Sequence, residues 1–172
     1  MERTLGIGDR ILVNKLVYRL RAPERGEIVV FDGRGTFIGD PVRKEYVKRV
    51  IAVAGDRVAC CVNSRVTVQR AGTEVPVALV EPYLFQDNAA PFCAAGSGTA
   101  CATGAPGVLV PVGRLWVMGD HRGASNDSRA NRGGANGALG DGTIELDQVV
   151  GRAFMVLWPP SRAALLSSGV SP

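Results

Sequence analysis

The chain has 172 residues, 46% of them hydrophobic, enough to bury a core in one domain or in a core with a modest insertion, so a fibrous or wholly disordered chain is excluded. Lys and Arg total 20 against 16 Asp and Glu, a net charge of +4, and aromatic content is 6%. Scattered charge with few stacking rings argues against nucleic acid as partner, and at most suits an anionic membrane surface. No apolar run reaches the roughly 18 residues of a membrane span, and no charged-then-apolar leader opens the chain, so the chain as given is expected to be soluble, which leaves room for an anchor upstream.

In chain order, Met1–Gly8 reads as a turn, and ILVNKLVY (Ile11–Tyr18) as a strand. RAPERG (Arg21–Gly26) breaks the run. EIVVF (Glu27–Phe31) then resumes as a second strand, implying a hairpin-like pair with the first. A Gly- and Pro-rich loop precedes YVKRVIAVAGDRV (Tyr46–Val58). Alternation there puts Tyr46, Lys48, Val50 and Ala52 on one face and Val47, Arg49, Ile51 and Val53 on the other. Neither face is free of charge, so one cation must sit among apolar neighbours. A lysine taken out of water tends to shed its proton, and a neutral amine is a general base. Snorkelling to water from an edge strand, or pairing with a carboxylate, explains the same residues without chemistry.

Gly55-Asp56 marks a hairpin turn into Arg57–Val62, and RVTVQR (Arg65–Arg70) alternates as a half-exposed strand. From Ala71 to Gly107 the composition loosens. RLWVM (Arg114–Met118) restores strand character, Ala130–Gly142 reads as a mobile loop, and VVGRAFMVLW (Val149–Trp158) as the last core strand, stopped by Pro159-Pro160. Trp116 and Trp158 are expected in the core, and Ser161–Pro172 as a frayed tail. The fold class is mainly β, divided into core residues 1–62, an inserted smaller β region at 63–112, core residues 113–160 and a flexible tail at 161–172.

Four cysteines, Cys60, Cys61, Cys93 and Cys101, allow three pairings and fit an oxidising compartment, with Cys93–Cys101 favoured. Zinc is disfavoured because there is no CxxC and His121 is the only histidine. Directly after RLWVM, GDHRGASNDSR (Gly119–Arg129) packs chemistry into a few positions. Asx and Ser turns in a surface loop account for that composition by themselves. Alternatively, Asp127 and Arg129 pair to pin the loop, the Ser125 and Ser128 hydroxyls reach a neighbouring strand, and Ser125 orients Lys48. A Ser-His-Asp reading of His121 is disfavoured because no GxSxG occurs, and Gly133–Gly142 lacks the Gly-Lys-Ser/Thr of a phosphate cradle.

Together MERTL, GDRILVNK, RGEIVVF, YVKRVIAVAGD, VMGDHRGASNDSR and VVGRAFMVLWPP resemble, in order and over nearly the whole chain, the bacterial type I signal peptidases, with the actinobacterial branch nearest. The resemblance implies a Ser–Lys endopeptidase of all-β, two-sheet architecture that removes signal peptides from exported preproteins after small residues. It implies a catalytic domain on the extracytoplasmic face of the cell membrane, held by an amino-terminal anchor, and no metal or organic cofactor. Lys48 matches the general base, Ser125 the residue that orients it, Asp127 and Arg129 the supporting ion pair, and Gly119 and Asp120 residues that shape the loop. Met1, Leu5, Tyr46 and Val47 match positions lining the substrate groove.

The chain departs from the pattern at its start. In the family the nucleophilic serine directly precedes the methionine that matches Met1, and Arg3 stands where a proline is usual, which loosens the turn. The expectation is therefore that the chain as given does not cleave. The alternatives are a non-catalytic peptide-binding homologue, a self-cleaving repressor type, which would need a DNA-binding domain and a cleavage loop not visible here, and a basic nucleic-acid binder.

Overall fold

A computed structural model describes residues 1–37, 45–62, 65–85, 107–132 and 142–169. The strands are β1 (Arg10–Asn14), β2 (Ile28–Asp32), β3 (Glu45–Val53), β4 (Arg57–Val62), β5 (Arg65–Gln69), β6 (Val77–Ala78), β7 (Val108–Leu109), β8 (Arg114–Met118), β9 (Ile144–Glu145), β10 (Val149–Trp158) and β11 (Ala164–Leu165); the one α-helix among the described residues is α1 (Val17–Leu20). They build two antiparallel sheets. The larger runs β1-β10-β2-β3-β8-β9, with β11 also paired to β10, and the smaller runs β6-β5-β4-β7. No helix of the described residues is long and apolar enough to cross a membrane.

β3 lies inside the larger sheet, pairing β2 with Val29 opposite Lys48 and β8 with Arg49 opposite Met118. Its β-branched residues suit a pleated, buried position. A bulge between Val50 and Ala52 interrupts strict alternation against β8. As a result Ile51 and Ala52 both enter the core shared by the two sheets, with Trp116 and Met118 from β8 and Val58, Cys60, Val66 and Val68 from the smaller sheet. Each fully buried side chain of this kind contributes about 1.5–3 kcal/mol. The smaller sheet is thus not a separate unit: it begins at β4, ahead of the expected boundary at residue 63, and its core is continuous with the larger sheet.

Several expectations need correction. The first strand stops at Asn14 instead of continuing to Tyr18, because the Asn14 carboxamide oxygen accepts the N–H groups of Leu16 and Val17 and turns the chain into α1. β1 and β2 are not a hairpin; β10 lies between them. Trp158 is 53% exposed rather than core. The tail is not frayed over Ala164–Ser168: β11 pairs with β10, Leu166 N–H donates to Phe154 O, and the Ser167 and Ser168 carbonyls accept from Arg49. In the expected mobile stretch, Ala130–Arg132 is held by Asn131, buried and bonded to Asn126 and to the Asp127 carbonyl, while 133–141 lies outside the described residues. Cys60 is disulfide-bonded; Cys93 and Cys101 lie outside the described residues.

Candidate active site

Both cations of β3 are buried, Lys48 at 9% and Arg49 at 1% exposure. Arg49 is compensated in full view. Its Nε and Nη2 donate to the two Asp120 carboxylate oxygens at 3.0 and 2.9 Å, its Nη1 donates to the carbonyls of Gly26, Ser167 and Ser168 at 2.9 Å each, and the Tyr83 ring lies 3.8 Å from its Cζ. A fork-to-fork pair of this sort ties β3 to the loop that follows β8. The tail reaches Arg49 because Gly26, at φ +87°, has no Cβ: one built there would stand 2.5 Å from the Ser168 carbonyl oxygen.

Lys48 reaches the same loop by another route. A Cβ built on Gly119 would collide with Ser125 Oγ, stand 2.7 Å from Ser125 Cβ and lie at contact distance, 3.8 Å, from Lys48 Nζ, so the bare Cα of Gly119 is what lets Ser125 pack here, in the neighbourhood of the amine. Ser125 Oγ is buried. Behind it, Asp127 accepts from Gly119 N–H at 3.0 Å and from Arg129 Nε and Nη2 at 2.9 and 2.8 Å. Burial pushes the Asp127 carboxyl up, but the Arg129 guanidinium, the Gly119 N–H and the Ser125 hydroxyl outweigh it and hold it below the usual carboxylate range. The Ser128 hydroxyl accepts from Val117 N–H at 2.9 Å, fastening the loop to β8.

The amino-terminal turn closes on this point. Burial, followed by the Lys48 charge, lowers the Met1 amino group below its ordinary range. The turn is pinned residue by residue: Glu2 pairs with His121, Arg3 Nη1 donates to Leu84 O at 3.3 Å, Thr4 Oγ1 donates to Asp120, and Asp9 pairs with Arg162 at 2.8 Å. Arg3 has φ +75°, a value proline cannot adopt, so the arginine goes with a turn of different backbone.

Of the groove residues expected from sequence, Met1 and Val47 pack around one apolar cluster with Ile28, Val30, Ala153 and Leu166. Leu5 is half-buried in the turn, its N–H donating to Met1 O. Tyr46 differs: its ring is 7% exposed and packed against Phe31 and Phe37, so any contact with a ligand runs through its backbone. Val50 N–H and C=O both bond to the β2 side, so alternation turns those of Val47 to the opposite edge. Along Glu45–Lys48 that edge carries no partner strand among the described residues, since the β8 pairing begins at Arg49.

Sequence reasoning missed Asp120 as the partner of Arg49, and missed Thr4, Arg122, Glu81 and Tyr83 altogether. Arg122 forms a buried pair with Glu81, and the Tyr83 hydroxyl donates to the same carboxylate. A buried arginine in a strand requires a carboxylate, and Asp120 was the signal available for it. Glu-Pro-Tyr within a stretch of small residues was the only mark of the other contact.

The family described as signal peptidase, peptidase S26 matches residues 1–158. Signal peptidase I of Mycobacterium tuberculosis (strain CDC 1551 / Oshkosh) is 36% identical, covering 94% of this chain and 61% of its own length, and the probable signal peptidase I of Mycobacterium leprae is 35% identical, covering 91% and 63%. A crystal structure of a signal peptidase I from Enterococcus faecalis overlays at TM-score 0.49 and 21% identity, over 76% of this chain and 95% of that one. The chain spans somewhat over three fifths of the length of the two mycobacterial relatives. By the family match along nearly its whole length, this chain belongs to the signal peptidases of the S26 family.

Proposed function

We propose that these residues form the base-bearing part of a Ser–Lys endopeptidase that removes signal peptides from exported preproteins after small side chains. The observation that carries this reading is the burial of Lys48 on β3 with the Ser125 loop close by at Gly119, where a Cβ would stand 2.7 Å from Ser125 Cβ and 3.8 Å from Lys48 Nζ. In this reading a serine joined to Met1, which packs in the same apolar cluster as Val47, supplies the hydroxyl that Lys48 deprotonates. Neutral Lys48 takes the proton as the hydroxyl attacks the peptide carbonyl, an acyl-enzyme forms as the amine of the mature protein leaves, and water activated by the same lysine releases the signal segment. Ser125 orients the amine. Backbone N–H and hydroxyl donors around the new oxyanion supply the electrostatic stabilisation.

The substrate adds a strand to the open edge at Glu45–Lys48, so alternate side chains fall on the apolar cluster of Met1 and Val47 and alanine-like residues fit best. The bonded Cys60 suits the oxidising, extracytoplasmic side of a membrane. Exposed Leu12, Leu157, Trp158 and Leu165, on the neighbouring strands β1, β10 and β11, suit contact with the membrane surface, with a single upstream anchor in the full-length protein.

The test is a preprotein with alanine at the first and third positions before the cut, incubated with the chain as given and with a version carrying serine joined before Met1. Cleavage is expected only from the second, and Lys48→Ala in that version should abolish it. Cleavage by the chain as given, or by the serine-bearing Lys48→Ala variant, overturns the reading. Peptide binding without cleavage by the serine-bearing version makes the protein a peptide-holding homologue.

A further inference from the structure

Glu81–Phe85 leaves the smaller sheet, where Leu79 N–H donates to Val66 O, and runs back onto the candidate site. Phe85 N–H donates to Asp120 O at 3.0 Å, and its ring meets His121 edge-on at 5.1 Å. Five further contacts close a ring of interactions. Arg49 is paired with Asp120 and faced by Tyr83. The Tyr83 hydroxyl donates to Glu81 at 2.5 Å, Glu81 pairs with Arg122, and Arg122 Nε donates to the Gly119 carbonyl at 3.0 Å. Gly119 is bonded in sequence to Asp120, where the ring began, and it is the position against which both Lys48 and Ser125 stand.

We propose that Tyr83 is a positioning residue for the peptidase reaction: its ring covers the Arg49 guanidinium and keeps the Arg49–Asp120 pair dry, holding the Lys48 strand at a fixed distance from the Ser125 loop. The inference rests on the function proposed above and adds to it a residue from the inserted region. A cation facing an aromatic ring away from water is attracted to it, and the ion pair beneath gains strength where water is shut out. Arg49 directly follows Lys48, so slack in the pair becomes displacement of the amine. A displacement of about 1 Å costs on the order of 10²-fold in rate when the reacting groups must stay aligned.

The test uses the serine-bearing full chain with Tyr83→Leu, which keeps bulk but removes the π-face, and Tyr83→Phe, which keeps the ring and removes the hydroxyl. Tyr83→Leu is expected to lower kcat about 10- to 100-fold with KM within about twofold, and Tyr83→Phe to recover most of kcat. An unchanged kcat in Tyr83→Leu, a defect confined to KM, or a Tyr83→Phe variant as slow as the leucine one overturns the proposal. Should Tyr83→Leu not fold, Tyr83→Met is judged by the same outcomes. If the serine-bearing parent itself does not cleave, the function reading has failed, and solvent exchange of the Arg49 Nε–H, followed by NMR in the chain as given, decides the proposal. Protection lost in Tyr83→Leu and kept in Tyr83→Phe supports it; equal protection in both overturns it.

Discussion

Lys48 and Ser125, far apart in sequence, both stand against Gly119, whose missing side chain leaves the room that Ser125 occupies: a Cβ there would lie 2.7 Å from Ser125 Cβ and at ordinary contact distance, 3.8 Å, from Lys48 Nζ. Gly119→Ala should therefore push Ser125 off the amine while leaving the sheet intact. In the serine-bearing chain we expect kcat to fall by on the order of 10²-fold, with urea unfolding showing a much smaller loss. A Gly119→Ala enzyme with wild-type kcat would show that Ser125 does not orient the base.

The Arg49–Asp120 pair is buried on both sides, at 1% and 0% side-chain exposure. Removing one member leaves the other charge stranded, so Asp120→Ala is expected to destabilise the protein by about 3–5 kcal/mol in chemical denaturation. The double variant Arg49→Met/Asp120→Leu should recover much of that loss while still lacking activity. Equal destabilisation of the single and double variants would argue that packing, not charge, is what the pair supplies.

The acid limb of the stability profile follows from two carboxyls. Burial raises both Asp127 and Glu27, yet Arg129 beside the first and Arg21 beside the second leave each net below the ordinary carboxylate range. Each ionises at lower pH in the folded than in the unfolded chain. Their stabilisation is therefore complete above the unfolded carboxylate range, near pH 4, and is lost as pH falls through the folded values. Unfolding free energy measured between pH 7 and pH 2 should drop below about pH 4, and Asp127→Asn should drop less steeply. A parallel profile for Asp127→Asn would remove that carboxyl from the account.

Much of this was readable before any coordinates. β10 spans Val149–Trp158 and β8 spans Arg114–Met118, the ranges that apolar run and turn residues mark out, and the Asp127–Arg129 pair forms as the loop composition suggests. Pattern gives a strand but not its neighbour, which is why β1 and β2 looked adjacent although β10, from the other end of the chain, separates them. Ala164–Leu165 is too short to show a period, and Tyr83 sits among residues without one. Both are fixed by a long-range partner, Arg49 or β10, and local sequence carries no record of that.

The exposed apolar row on β1, β10 and β11 leads to a further expectation. Leu157→Ser with Leu165→Ser should weaken sedimentation of the serine-bearing chain with anionic phospholipid vesicles several-fold, without altering cleavage of a soluble peptide. Undiminished sedimentation would show that this row makes no membrane contact.

The docked tail matters for anyone choosing where to cut the gene. The family match stops at residue 158, an inviting place to end a shortened protein. Yet a truncation there would strip two of the three carbonyl acceptors from Arg49 Nη1 and lift Leu166 off the cluster that seats Met1. Such a fragment would keep the whole span of the family match and still lose much of the grip on Arg49, the residue next to Lys48.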